Sequence, residues 1–171
     1  YYANTPDQGN NRGQLKAIVN ALNQRTEFSS YDANGNVGTI TDPNGVITQR
    51  TYDERNRIKT ITNQITSAQT QYFYDIRGNL SYVILPVGNR IDFTYNPADK
   101  LTEIKDSLDN KIQYQYDVEG NRIREEIKDP QGTLKKYLDF TYDAYNNLKR
   151  IVNPDTTYTE YTYDGRKNPT A

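Results

Sequence analysis

The chain of 171 residues has no cysteine, no histidine, no methionine and no tryptophan, and only four phenylalanines. Without cysteine there is no disulfide frame, no thiolate metal site and no cysteine nucleophile. Without histidine there is no Ser-His-Asp triad, no HExxH zinc site and no imidazole acid/base chemistry. Charge of one sign is also missing: 21 Lys and Arg stand against 22 Asp and Glu, a formal net charge of −1. So balanced a chain has no steering field for nucleic acid or an anionic membrane surface. No apolar run approaches the length that spans a bilayer as a helix, and no signal peptide opens the sequence. Val, Ile, Leu and Phe together make up only about a fifth of the residues, at the edge of what supports a packed core. Sixteen tyrosines fill that gap. Each carries a large ring and a hydroxyl that can reach water or a backbone partner.

The tyrosines are spaced regularly. Tyr-Asp recurs at Tyr31, Tyr52, Tyr74, Tyr116, Tyr142 and Tyr163, and Tyr95-Asn96 fills the one gap; the steps are 21, 22, 21, 21, 26 and 21 residues. Other columns keep the same register. Four and five residues after the anchor come Gly35-Asn36, Asn56-Arg57, Gly78-Asn79, Asp99-Lys100, Gly120-Asn121 and Asn146-Asn147, and six after it Val37, Ile58, Leu80, Leu101 and Leu148. The register extends back to a degenerate anchor at Gly9-Asn10, so the whole of residues 1–171 reads as one repeat segment of seven to eight units and a piece of a longer chain.

A period near 21 residues accommodates two strands of about six residues and two turns of about four. One turn follows each anchor as Asp-x-x-Gly-Asn. Its aspartate can accept from backbone amides ahead of it, and Gly35, Gly78 and Gly120 supply the left-handed backbone. The other turn lies mid-repeat, as in Asp42-Pro43-Asn44-Gly45 and Asp129-Pro130-Gln131-Gly132. The strand before each anchor alternates plainly, as in Ile91-Asp-Phe93-Thr-Tyr95 and Ile112-Gln-Tyr114-Gln-Tyr116, which gives one apolar and one wet face. In the strand after the anchor the apolar residues stand three apart, as Leu101 and Ile104 do, and share a face only if a bulge intervenes. Leu15, Ile18, Val19 and Leu22 have helical spacing, but the repeat register explains them as strand, turn and strand. The unit from Tyr116 to Tyr142 is five residues longer, which lengthens either its strands or its loop. The expected fold is all-β: a repetitive β-hairpin spiral with about two strands per repeat, stabilised by stacking of neighbours.

The stretch Tyr31 to Asp53, YDANGNVGTITDPNGVITQRTYD, resembles the RHS or YD repeat of bacterial RHS toxins, of the B and C components of Tc toxin complexes and of teneurins. The resemblance runs from about Gly9 to Asp164. It implies a spiral of strands around a hollow shell. In the bacterial members that shell holds a toxic C-terminal domain, and in teneurins the related barrel serves adhesion. The autoproteolytic aspartate region that follows the repeats in RHS proteins has no counterpart in this sequence. On that resemblance the chain is a non-catalytic wall that shields a polypeptide cargo, secreted or at a bacterial cell surface. Its partners would be the remaining repeats and the enclosed cargo, with no cofactor, no nucleic acid and no membrane span. The alternative is a cell-surface adhesion or carbohydrate-binding module with a glycan or receptor partner.

The structural anchors expected from the pattern are Tyr31, Tyr52, Tyr74, Tyr95, Tyr116, Tyr142 and Tyr163, with Gly35, Gly78 and Gly120 as turn formers. Other residues invite sharper readings. The tyrosine ladder could stack on sugars, but each aspartate stands where turn chemistry wants it. The loops at Asp32 and Asp42 lack the acidic density of a calcium loop. Asp117 with Glu119 and Glu125 with Glu126 are carboxylate pairs, yet the first lies on a turn common to every repeat and the second points to opposite faces of a strand. Lys135-Lys136 and Arg55-Arg57-Lys59 have acids close by and read as solvated strand faces.

Overall fold

The computed structural model describes residues 13–170, and all of their regular structure is strand; the degenerate anchor at Gly9-Asn10 lies outside them. The strands are β1 (Ala17–Val19), β2 (Arg25–Ser29), β3 (Thr39–Thr41), β4 (Ile47–Tyr52), β5 (Ile58–Asn63), β6 (Gln69–Tyr74), β7 (Leu80–Ile84) and β8 (Arg90–Tyr95). They continue as β9 (Leu101–Asp106), β10 (Lys111–Tyr116), β11 (Arg122–Lys128), β12 (Leu134–Tyr142), β13 (Leu148–Val152) and β14 (Tyr158–Glu160), followed by a short pair, β15 (Thr162–Tyr163) and β16 (Pro169–Thr170). Sheet order follows chain order from β1 to β14. The residues fall into two compact units. One runs to Asp75 and includes Tyr82–Asn89; the other takes Ile76–Ser81 and continues from Arg90.

From β1 to β14 the links between strands are short and built on turns, the longest being residues 30–38 between β2 and β3, which is why neighbours in sequence are neighbours in the sheet. The helically spaced residues near the start form β1, a turn at Asn20–Gln24 and then β2. At nearly every turn the same two backbone bonds recur. Asp32 N–H donates to Asn36 O (3.0 Å) and Gly35 N–H to Asp32 O (3.1 Å); Asp42, Asp106, Asp117, Asp129 and Asp143 repeat that geometry. The fourth residue of each loop, or the fifth in the longer loop that begins at Asn63, sits in left-handed backbone, the arrangement of a type I turn closed by a bulge residue. Where that residue is not glycine it is short and polar, with two exceptions, Lys167 (φ 64°) and the β-branched Thr156 (φ 68°). Left-handed backbone costs an L-residue about 1–2 kcal/mol, part of which glycine gives back in chain entropy. Thr156→Gly is therefore expected to raise stability by about 0.5 kcal/mol, read from denaturant midpoints. A fall of that size would show that the threonine side chain contributes more than its backbone strain.

The bulge expected in the strand after the anchor is present beside the tyrosine. In the first unit Thr51 pairs with Thr60 but Tyr52 with Ile58, so Lys59 is extra and Ile58 joins Ile61 on the face of Tyr52. In the second unit the ladder slips in the same way at Tyr95, Tyr116 and Tyr142. Apolar residues three apart thereby reach one face. The long repeat spends its extra residues on its strands: β11 has seven and β12 nine, while the loop at Asp129 keeps the standard bonds.

Each sheet unit has an apolar face and a polar one. In the second unit Phe93 and Ile112 both pair with Ile104, Ile112 with Ile127, and Phe140 with Ile151. The reverse face carries a continuous polar chain. Gln113 donates to Glu103 (2.7 Å) and accepts from Lys128 (2.7 Å); Lys128 pairs with Glu126 (2.8 Å), Glu126 with Arg124 (2.7 Å), and Arg124 with Asp139 (2.8 Å). In the first unit the same face has one ion pair, Arg25 with Glu27 (2.6 Å), and is otherwise held by uncharged groups, with Thr51 against Thr60 (2.6 Å), Gln64 donating to Gln49 (2.8 Å) and Gln69 to Thr62 (3.0 Å). The fold is thin: among the described residues only Val83 and Phe140, each 7% exposed, are buried. Backbone ladders and cross-strand pairs therefore carry a larger share of the stability than in a two-layer domain.

Candidate functional site

The residues singled out by the repeat are joined to one another. The hydroxyls of six anchor tyrosines donate to a backbone carbonyl that follows the turn of the preceding repeat. Tyr31 reaches Leu15 O (2.6 Å), Tyr52 Val37 O (2.9 Å) and Tyr74 Ile58 O (2.9 Å). Tyr116 reaches Leu101 O (2.7 Å), Tyr142 Arg122 O (2.9 Å) and Tyr163 Leu148 O (2.8 Å). Tyr95 ends β8 in the same register, opposite Leu101 across a bulge. A half-buried ring thus sits on the sheet while its hydroxyl ties one repeat to the last. These hydroxyls are committed to backbone and do not form a free polar lining.

Cations cover the rings. The Arg57 guanidinium lies 4.1 Å from the Tyr74 centroid while bonding Asp53 (2.7 Å), so it spans from one anchor turn to the next tyrosine. Lys100 Nζ stands 5.5 Å from the Tyr116 ring, and Arg122 is 4.7 Å from Phe140. Burial raises the pKa of the Tyr74 and Tyr142 hydroxyls. They remain donors until strongly alkaline pH, and the stability they lend is lost as pH climbs above the ordinary tyrosine value near 10.

The turn aspartates are spent within their own loops. Asp32 Oδ1 accepts the amides of Asn34 and Asn36 (both 2.9 Å) and Oδ2 accepts the Asn36 side chain (2.9 Å). Asn147 serves Asp143, and Asn110 serves Asp106, in the same way. The asparagine five residues after the anchor is therefore a donor to the turn carboxylate. These donors hold the carboxyls of Asp32, Asp106 and Asp143 below their ordinary value; at Asp53 the Arg57 amide and then its guanidinium do so, and at Asp164 the Asn168 amide and side chain. A depressed folded pKa gives stability that is present above the unfolded value, near 3.8, and lost as pH falls through the folded values. The melting temperature should be flat from about pH 7 to about pH 5 and fall steeply below about pH 4, since no histidine titrates between. A chain with Asp32, Asp106 and Asp143 changed to Asn should show a shallower acid limb. An unchanged limb would remove the turn carboxylates as its cause.

The carboxylate pairs do not assemble acid/base chemistry. Asp117 accepts the Asn121 amide (2.7 Å) and side chain (3.0 Å). Glu125 pairs with Arg122 (3.1 Å), and Glu126 with Arg124 and Lys128 on the other face. An open concavity of about 620 Å³ near the last anchor is lined by Tyr145, Tyr161 and Tyr163 with Asp143 and Asp164, whose oxygens already accept from their own turns. Of the basic clusters, Lys135 pairs with Asp129 (2.7 Å) and Arg57 with Asp53 (2.7 Å). What the arrangement does chemically is hold repeats together.

Comparison with known proteins agrees with that geometry. The family described as Teneurin YD-shell matches residues 8–168. Among solved structures, a complex titled TcdB2-TccC3-Cdc42 superposes with a TM-score of 0.68 at 19% identity, over 85% of this chain and 9% of that one. TcdB2-TccC3 with TEV gives the same figures. A Tc holotoxin pore of Photorhabdus luminescens gives 0.56 at 17% identity, over 86% of this chain and 10% of that one. The chain thus spans about a tenth of the length of the structures it resembles. Comparison with curated proteins gives no match.

Proposed function

The chain belongs to the teneurin YD-shell family, and from that premise we propose that it is a run of wall in a larger β-hairpin shell that encloses a polypeptide cargo. One observation carries the reading: six anchor hydroxyls each donate to the backbone of the preceding repeat. The columns that define the sequence are thereby used to extend a sheet, and no catalytic role is assigned to them. Seven to eight repeats over residues 1–171 supply one segment, and the rest of the parent chain continues the wall. Enclosure works by steric exclusion of proteases and solvent components, and it needs cohesion between repeats more than affinity for the cargo. The partners are then the other repeats and the enclosed polypeptide. A secreted or cell-surface location fits the toxin complexes among the structural neighbours. Nothing in the neighbours favours a glycan or receptor partner.

Electron cryo-microscopy of the parent protein tests the proposal. The expected map shows this chain as consecutive hairpins in a closed wall, with polypeptide density inside. A hairpin array open to solvent on both faces, with no enclosed density, would overturn it.

A further inference from the structure

Across the six repeats whose turns run from Asp32 to Thr156 the residue in the left-handed position alternates from repeat to repeat; the flanking turns stand outside the pattern, with Gly13 and Asn23 before it and Lys167 after Asn146. Gly35 and Gly45 close the two turns of one repeat (φ 84° and 81°), and Asn56 and Ser67 those of the next (62° and 58°). Gly78 and Gly88 are followed by Asp99 and Asp109, and Gly120 and Gly132 by Asn146 and Thr156. Six successive repeats are thus glycine at both turns or non-glycine at both, in strict alternation. Glycine would suit every one of these positions, because left-handed backbone strains any other residue. The side chains of the non-glycine repeats therefore need a reason.

Within each unit the anchor-side turns supply it. Asn56 Oδ1 accepts from Asn34 (2.8 Å) and Asn36 (2.9 Å) of the preceding glycine-type repeat. Asp99 Oδ1 accepts from Asn79 (2.8 Å) and pairs with Arg77 (3.2 Å), again from the repeat before. Asn146 Oδ1 accepts from Asn121 (3.2 Å). At all three acceptors the bonds run from a glycine-type turn to the non-glycine turn after it. In the other direction the contact is of a different kind. Lys100 donates to Gly120 O (2.9 Å), and a Cβ at position 120 would stand 2.5 Å from Lys100 Cε and Nζ. The end of the Lys100 chain can swing aside, so what favours glycine at 120 is its φ of 88°.

We infer that the building unit of this wall is a pair of repeats: a glycine-type member donates from its turn to the left-handed side chain of the next, so that register repeats every two units. Gly35, Gly78 and Gly120 accordingly stand 43 and 42 residues apart, twice the tyrosine period. The pairing gives each repeat a preferred neighbour, which a uniform 21-residue unit lacks. Within this run, slippage by one repeat would take from Asn56, Asp99 and Asn146 the donors they have here.

Asn56→Gly separates this account from a purely local one. If Asn56 serves only its own turn, glycine relieves backbone strain and the preceding repeat is unaffected. If it accepts from the preceding repeat, Asn34 and Asn36 lose their acceptor. Hydrogen exchange on the full chain should then speed up about tenfold at the amides of Gly35 and Asn36, which the Asp32 turn protects. Asn56→Asp, which keeps the oxygen and tolerates left-handed backbone, should retain wild-type exchange there. Thr156→Gly, a substitution at the same turn position elsewhere, should leave Gly35 and Asn36 unchanged. A second measurement is the double-mutant cycle of Asn56→Gly with Asn36→Ala, in which the two effects should overlap rather than add. Wild-type or slower exchange at Gly35 and Asn36 in Asn56→Gly, or additive effects in the cycle, would overturn the pairing.

Discussion

Tyr116→Ser is expected to lower the stability of the chain by about 3 kcal/mol, the sum of a half-buried ring at about 2 kcal/mol and a hydrogen bond at about 1 kcal/mol. Tyr116 ends β10, donates to Leu101 O at 2.7 Å and lies under Lys100. Its loss leaves the Leu101 carbonyl without its donor and removes the ring that β9 and β11 both flank. Each repeat relies on its neighbours for burial, so the repeats on either side should unfold with it in one transition. Tyr116→Phe isolates the hydroxyl and should cost about 1 kcal/mol. Adding Tyr95→Ser extends the same damage to the preceding anchor. Far-ultraviolet circular dichroism in denaturant reads all three. If Tyr116→Ser stayed within about 0.5 kcal/mol of the parent, tyrosine would not be a packing anchor.

Phe140→Ala should be as damaging or more, at about 3–4 kcal/mol. Phe140 is one of the two buried hydrophobic residues among those described. It stands opposite Ile151 in the ladder, with the Arg122 guanidinium 4.7 Å from its ring. Removing the ring opens a gap between β12 and β13 and strips Arg122 of its aromatic partner. Phe140→Leu keeps most of the volume and should cost under about 1.5 kcal/mol. Val118→Ala is the contrast: Val118 is 97% exposed at a turn tip, and its truncation should be near neutral. Equal effects of Phe140→Ala and Val118→Ala would mean that side-chain burial adds nothing measurable to this sheet.

Much of this fold was legible because a single register ran through tyrosine, aspartate and glycine at once. Tyr52, Tyr95, Tyr116 and Tyr142 mark strand ends, the Asp-x-x-Gly loops mark turns, and Leu101 with Ile104 announced a bulge that the ladder contains. Two features were not legible, and a third was legible but had no evident meaning. The destination of each tyrosine hydroxyl depends on a backbone carbonyl 15 to 20 residues earlier, and a carbonyl carries no sequence signal. The thinness of the fold was hidden because half-buried and buried residues share one alternating pattern. The alternation of Gly35, Asn56, Gly78 and Asp99 was in plain view. Treating all of them as equivalent turn formers concealed it, since Gly and Asn both tolerate left-handed backbone. Only the reach of Asn36 to Asn56 distinguishes them.

The most direct test of the whole account is limited proteolysis of the intact parent protein beside its Tyr116→Ser variant. If these repeats form a cohesive wall around a polypeptide, the enclosed segment resists cleavage in the parent protein and becomes sensitive when the wall is weakened at Tyr116. Cleavage of that segment at equal rates in both proteins would contradict it.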